Sequence, residues 1–125
     1  QRSETAAAAP APPLRTVDEK AELTGVIMAY ARALEAGDLT QAGRLYPGMP
    51  PEQRQGLEAF WKAGGTMRPR WSVSDVVVTG DVATARVQGS TSVNTAQAGT
   101  SEQRVSLRAR LERRGTEWRL VALVN

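Results

Sequence analysis

The sequence predicts an α+β domain in which three N-terminal helices pack on a four-stranded antiparallel sheet, and three observations carry that prediction. Apolar residues recur at helical spacing through the first half of the chain. From Met67 onward the period changes to two. Short turn signals separate the successive strands, which favours a meander over parallel crossovers. Helices followed by strands, instead of alternating with them, define the segregated α+β class. At 125 residues the chain has room for one domain and one core.

Residues 1–15 read as a linker, because Ala6–Ala9, Pro10, Ala11, Pro12 and Pro13 offer no apolar face and several helix breakers. Such a stretch is expected to tether the folded part, residues 16–125, to something upstream. Thr16-Val17-Asp18-Glu19 has the form of a capping box, with the Thr16 hydroxyl and the Glu19 side chain each able to satisfy a backbone N–H. The helix that follows carries Leu23, Val26, Ile27, Tyr30, Ala31 and Leu34 on one stripe, and Gly37 ends it. Asp38 caps a short second helix over Leu39–Leu45, stopped before Pro47. Pro50 and Pro51 suit the start of a third helix, Pro51 to Lys62, whose apolar residues are Leu57, Phe60 and Trp61. Gly64-Gly65 closes it.

Trp71-Ser72-Val73 leads into a strand over Asp75–Val78, and Thr79-Gly80-Asp81 turns it into Val82–Val87. The small, polar stretch Thr95–Ser101 reads as a loop. Val105, Leu107, Ala109 and Leu111 then alternate with Ser106, Arg108, Arg110 and Glu112 in the clearest half-buried strand of the chain. Arg114-Gly115-Thr116 turns into a last strand, Trp118–Val124.

Composition excludes several chemistries. With no cysteine, there is no disulfide, thiolate metal site or cysteine nucleophile. With no histidine, a His-based triad, zinc site or Cys–His pair is excluded as well. No apolar run reaches the roughly 20 residues that span a bilayer, so a membrane link is expected only through a segment upstream of Gln1. Net charge is +3, with arginine outnumbering lysine fourteen to two. The basic residues alternate with apolar ones and do not cluster with aromatics, so nucleic acid is not an expected partner. Gly48 and Gly64-Gly65 lack the spacing and context of a phosphate loop.

The stretch Val26-Ile27-Met28-Ala29-Tyr30-Ala31-Arg32-Ala33-Leu34-Glu35-Ala36-Gly37-Asp38-Leu39, followed by a short apolar helix and Tyr46-Pro47, resembles the opening of nuclear-transport-factor-2-like domains. That family includes ketosteroid isomerase and polyketide-cyclase-like proteins. The resemblance extends by element order over most of residues 16–125. It implies a cone, in which a strongly curved sheet wraps the long helix and leaves a pocket at its open end. It also implies that Tyr30 matches the tyrosine that donates to the developing enolate oxygen in the isomerase. The second donor there is a protonated Asp, and its matching position is near Ala109. The isomerase base is an Asp after the second helix, whereas Tyr46-Pro47-Gly48-Met49-Pro50 offers no carboxylate until Glu52. The segment from Tyr46 to Trp61, with the Ala/Pro stretch, also resembles domains attached to bacterial serine/threonine kinases and other membrane-anchored proteins.

The candidate pocket residues are Tyr30, Leu34, Phe60, Trp61, Met67 and Trp71, with core packing as the plain alternative for each aromatic. Arg104, Arg108, Arg110 and Arg119 fall opposite the apolar positions of their strands. They form either an anion- or partner-binding face or a solvated face paired with Glu102, Glu112 and Glu117. Asp75 and Asp81 adjoin turn signals and read as turn chemistry. No residue is assigned as catalytic or metal-ligating, and no cofactor is expected. The leading reading is a non-catalytic sensor or assembly module of a larger bacterial protein, tethered outside the cytoplasm and holding a small apolar ligand. The alternatives are an isomerase or cyclase using Tyr30, and a structural homodimer.

Overall fold

A computed structural model of the chain describes residues 11–124, with side chains from residue 19 onward. Three helices, α1 (Ala11–Ala36), α2 (Leu39–Leu45) and α3 (Pro51–Lys62), precede four strands, β1 (Thr66–Thr79), β2 (Val82–Thr95), β3 (Gly99–Arg114) and β4 (Glu117–Val124). The strands pair antiparallel in the order β1-β2-β3-β4, so the sheet is an open meander. This is the α+β arrangement that the sequence predicts.

The linker expected over residues 1–15 lies outside the described residues as far as residue 10, and from Ala11 the chain is helical. Thr16 therefore stands inside α1 and does not cap it. Pro12 and Pro13 fall in the first helical turn, where a missing N–H leaves no intrahelical bond unmade. At its other end α1 stops in a Schellman motif: Asp38 N–H donates to the Ala33 carbonyl at 2.9 Å and Gly37 N–H to that of Leu34 at 3.2 Å. Asp38 then caps α2, its Oδ1 accepting from Gln41 N–H at 3.0 Å.

α1 lies along the inner face of the sheet. Leu23, Ile27, Tyr30 and Leu34 meet Ala83, Ala85 and Val87 of β2, Ala109 and Leu111 of β3, and Trp118 and Leu120 of β4 in one buried cluster. The small alanines at the centre of the sheet let the helix settle close to it. Each fully buried Leu, Ile or Val in this cluster contributes roughly 1.5–3 kcal/mol relative to exposure. α3 is held more lightly: none of its residues is buried, and Leu57 and Trp61 only pack against the edge of the core.

Three devices bend the long strands. The β1–β2 register shifts between Ser74 and Val77, with Asp75 at φ 52°, and the β3–β4 register shifts between Arg110 and Leu111. Within β2, Gly89 sits at φ 148°, and a Cβ there would stand 2.0 Å from the Arg70 carbonyl oxygen. Only glycine allows β1 and β2 to approach so closely at that bend. The polar stretch Thr95–Ser101 is not a loop. Thr95 pairs with Gly99 across a tight hairpin, and Ala98 N–H donates to Thr95 Oγ1 at 3.0 Å. β1 likewise begins at Thr66, before Trp71, and β2 continues past Val87 through Gly89 to Thr95.

Candidate functional site

At the open end of the sheet, a cavity of about 260 Å³ remains between α1, α3 and all four strands. Its volume lies just under the usual range of small-molecule pockets, about 300–1,000 Å³. Larger hollows of about 450, 460 and 550 Å³ lie elsewhere, but this is the one walled by Tyr30 and Trp71. Tyr30 and Leu34 reach it from α1, one helical turn apart. Met67 and Trp71, four residues apart and on one face of β1, form the facing wall.

The Tyr30 ring is fixed on two sides. It meets Tyr46 edge-on at 5.5 Å between centroids, 87° between planes, and lies 6.2 Å from Trp71, tilted by 38°. The Trp71 indole N–H donates to Thr91 Oγ1 at 3.0 Å. That bond occupies an acceptor position of the Thr91 hydroxyl and leaves its proton free to donate. The Tyr46 hydroxyl accepts from the N–H of Leu123, itself on the lining, at 3.2 Å. The next turn of chain is pressed against β4 so closely that a Cβ on Gly48 would stand 2.2 Å from the Val121 carbonyl oxygen. Together these contacts pin the α2–α3 connection to β4 at the sheet edge.

Tyr30 is 1% exposed, and its hydroxyl has no hydrogen-bond partner among the described residues. Burial pushes its pKa well above the ordinary tyrosine value, and the neighbouring Tyr46 adds to the shift. The phenol is thus held neutral, as a donor facing the cavity. The other polar groups of the lining residues are the Trp71 indole N–H, engaged by Thr91, the Thr91 hydroxyl and the amides of Gln53 and Gln103. No carboxylate or cation lines it. Glu58 pairs with Lys62 at 3.8 Å on the exposed side of α3, Glu52 is exposed, and Asp75 faces Arg86 at 3.7 Å outside the cone. Ala109 is fully buried in the core and has no donor to offer. Among the described residues no cluster of Asp or Glu could hold a metal ion.

Of the six residues singled out from sequence, Tyr30, Leu34, Met67 and Trp71 share the cavity, whereas Phe60 and Trp61 do not line it. α3 outruns the mouth: Leu57 and Gln53 face the cavity, and Phe60 and Trp61 lie about 4–6 Å further along the helix axis from Leu57. The Phe60 ring instead covers Gly65, where a Cβ would come within 2.5 Å of it, and the Trp61 ring covers Gly37. Thr91, Val93 and Gln103 were not legible as lining. They sit in the polar stretches of β2 and β3, where the apolar alternation is interrupted.

No sequence family and no curated protein matches the chain by sequence. Solved structures do match it closely in shape. A conserved protein from Planctomyces limnophilus superposes with a TM-score of 0.77 at 16% identity, over 86% of this chain and 94% of that one. A nuclear-transport-factor-2-like protein with a cystatin-like fold from Novosphingobium aromaticivorans gives 0.67 at 19% identity, over 96% and 88%. A dehydratase candidate of the same family from Streptomyces avermitilis gives 0.69 at 16%, over 86% and 94%. At these identities the likeness is one of fold, and the three helices and the antiparallel meander agree with it. The chain has the nuclear-transport-factor-2-like cone fold.

Proposed function

We infer that the domain binds a small, neutral, largely apolar molecule through one hydrogen-bond acceptor, without transforming it. The observation that carries this reading is the buried Tyr30 hydroxyl, unpartnered among the described residues, in a cavity with no charged lining. A buried donor without a partner costs about 1–3 kcal/mol, which an acceptor on a ligand would relieve. The Thr91 hydroxyl offers a second donor, and Leu34, Leu57, Met67 and Leu107 supply apolar walls.

An isomerase or cyclase built on Tyr30 is the weaker reading. Proton abstraction needs a base within hydrogen-bond reach of the substrate, directly or through one water, and the cavity lining has none. One donor alone supplies only part of the electrostatic stabilisation that such chemistry requires. The sensor role in a tethered, extracytoplasmic protein rests on the Ala-rich composition of residues 1–10, ahead of α1, and is tested by fractionating cells that express the whole protein. No described helix is long and apolar enough to cross a membrane.

Titration with indanone and with indane, which differ in one carbonyl, tests the pocket through the change in intrinsic tryptophan fluorescence, with Trp71 on the lining and Trp61 and Trp118 off it. Indanone is expected to bind more tightly, and Tyr30→Phe to remove about tenfold of that advantage, equivalent to about 1.4 kcal/mol. Equal binding of ketone and hydrocarbon, or no effect of Tyr30→Phe, overturns the reading.

A further inference from the structure

The outer face of the sheet, away from the pocket, is built of arginine on a platform of serine. Arg68 and Arg70 of β1, Arg86 of β2, and Arg104, Arg108 and Arg110 of β3 all project from it and are exposed. Asp75, Glu102 and Glu112 are the carboxylates among them. Arg114 of β3 lies on the same side, so arginines outnumber carboxylates there and the face is net positive.

The arrangement works against the sheet itself. Arg86 stands directly opposite Arg108 in the β2–β3 register, where like charges repel. Arg70 and Arg104 flank Ser90 on neighbouring strands, about 10 Å apart by strand spacing. Asp75 reaches Arg86 at 3.7 Å and Glu112 reaches Arg110 at 3.7 Å, but Arg70, Arg104 and Arg108 have no ion pair among the described residues. Arginine presents a planar fork suited to carboxylates. Beside Arg86 and Arg108 the face sinks into a trough of about 450 Å³, bordered by Val77 and Val124. These valines are 57% and 54% exposed, the large apolar side chains most open to water on the described surface.

We propose that this face is a docking surface for an acidic polypeptide segment, with aliphatic side chains between its carboxylates. Charge complementarity selects the sign of the partner, and the valine-edged trough selects a polypeptide. A phosphate backbone has nothing to place on Val77 and Val124, and the face carries no aromatic side chain on which bases could stack. A second copy of this chain is disfavoured too, because a symmetric contact would set the same positive surface against itself.

The test uses the full chain and three probes: a fluorescent peptide of repeating Glu-Glu-Leu, poly-glutamate of equal charge, and a duplex oligonucleotide. Anisotropy is expected to show saturable binding of the peptide that weakens as salt rises. Arg70→Ser, Arg104→Ser and Arg108→Ser should each weaken it roughly two- to five-fold, the range for exposed charge pairs. Val77→Ser should weaken the leucine-containing peptide and leave poly-glutamate unchanged. Amide shift changes in the unsubstituted protein should fall on the outward residues of β1–β3, a readout that no folding defect can mimic. Absence of saturable binding at low salt, shifts located elsewhere, indifference to the arginine substitutions, or tighter binding of the duplex would each overturn the proposal.

Discussion

The Trp71 indole N–H donates to Thr91 Oγ1 at 3.0 Å, joining adjacent strands inside the cone and making one wall of its cavity. Thr91 is the buried polar residue among the described side chains, at 7% exposure. Its hydroxyl gives the indole N–H an acceptor inside the cone. Thr91→Val keeps the shape and removes that acceptor, leaving a partly buried N–H unsatisfied. The expected loss of stability is about 1 kcal/mol, read by urea unfolding, whereas Thr91→Ser should lose less than Thr91→Val.

Tyr30→Phe should act in the opposite direction on stability. The hydroxyl has no partner among the described residues, so its removal leaves stability unchanged or raises it by up to about 1 kcal/mol, while ketone binding falls. A calorimetric melt paired with the indanone titration checks both signs on one variant.

The same phenol sets an alkaline limit. Its pKa is raised in the folded chain, so folding protects the proton, and this contribution is fully present below the unfolded tyrosine pKa of about 10. As pH rises above that value the unfolded state ionises first, and stability declines until pH passes the folded pKa. Unfolding free energy measured against pH should therefore fall on the alkaline side. Tyr30→Phe should flatten that fall, and tyrosinate absorbance from Tyr30 should appear together with unfolding.

Gly48→Ala should loosen the α2–α3 connection from β4. A Cβ cannot occupy a point 2.2 Å from the Val121 carbonyl oxygen, so the α2–α3 connection must lift from β4 and the Tyr46–Leu123 hydrogen bond must lengthen. A loss of roughly 2–4 kcal/mol is expected, with faster amide exchange at Leu123 as its local signature.

Arg113 joins three distant parts of the chain. Its guanidinium donates to Glu19 Oε2 of α1 at 3.1 Å and twice to Asp81 Oδ1 in the β1–β2 turn, at 2.8 and 3.0 Å, and it lies 5.4 Å from the Trp118 ring centre. Arg113→Met should lower the melting temperature. A double-mutant cycle with Glu19→Gln should return a coupling that high salt reduces, as expected for a half-exposed network.

Much of this architecture is legible from local patterns. The bounds of α2 and α3, the Gly37 stop, the β1–β2 and β3–β4 turns and the consecutive strand order follow from caps, prolines and alternation. The start of α1 does not, because Pro12 and Pro13 signal a break except in a first turn, where they are tolerated. The far ends of β2 and β3 are hidden for another reason. Ser90, Ser92, Asn94 and Thr100 face outward, and the inward positions hold Gly89 and Thr91 before Val93, so the apolar period is interrupted. Thr91, Val93 and Gln103, three of the eleven residues lining the cavity, are lost to sequence reading in that stretch. Tyr30, Leu34, Met67 and Trp71 are found because they stand on strongly patterned faces. Phe60 and Trp61 share a stripe with Leu57, and only the length of α3 relative to the mouth places them beyond it.

An open meander leaves two strands with a free side, and such edges invite pairing with other chains. On β4 that invitation is withdrawn by the contacts that hold the α2–α3 connection. The bulge interrupts the run of backbone groups, the Leu123 N–H is already engaged by Tyr46, and Gly48 lies against the Val121 carbonyl. On β1, Pro69 lacks a donor, and Asp75 turns the strand aside at φ 52°. The features that bend the sheet into a cone thus also keep its margins from templating a stack of copies.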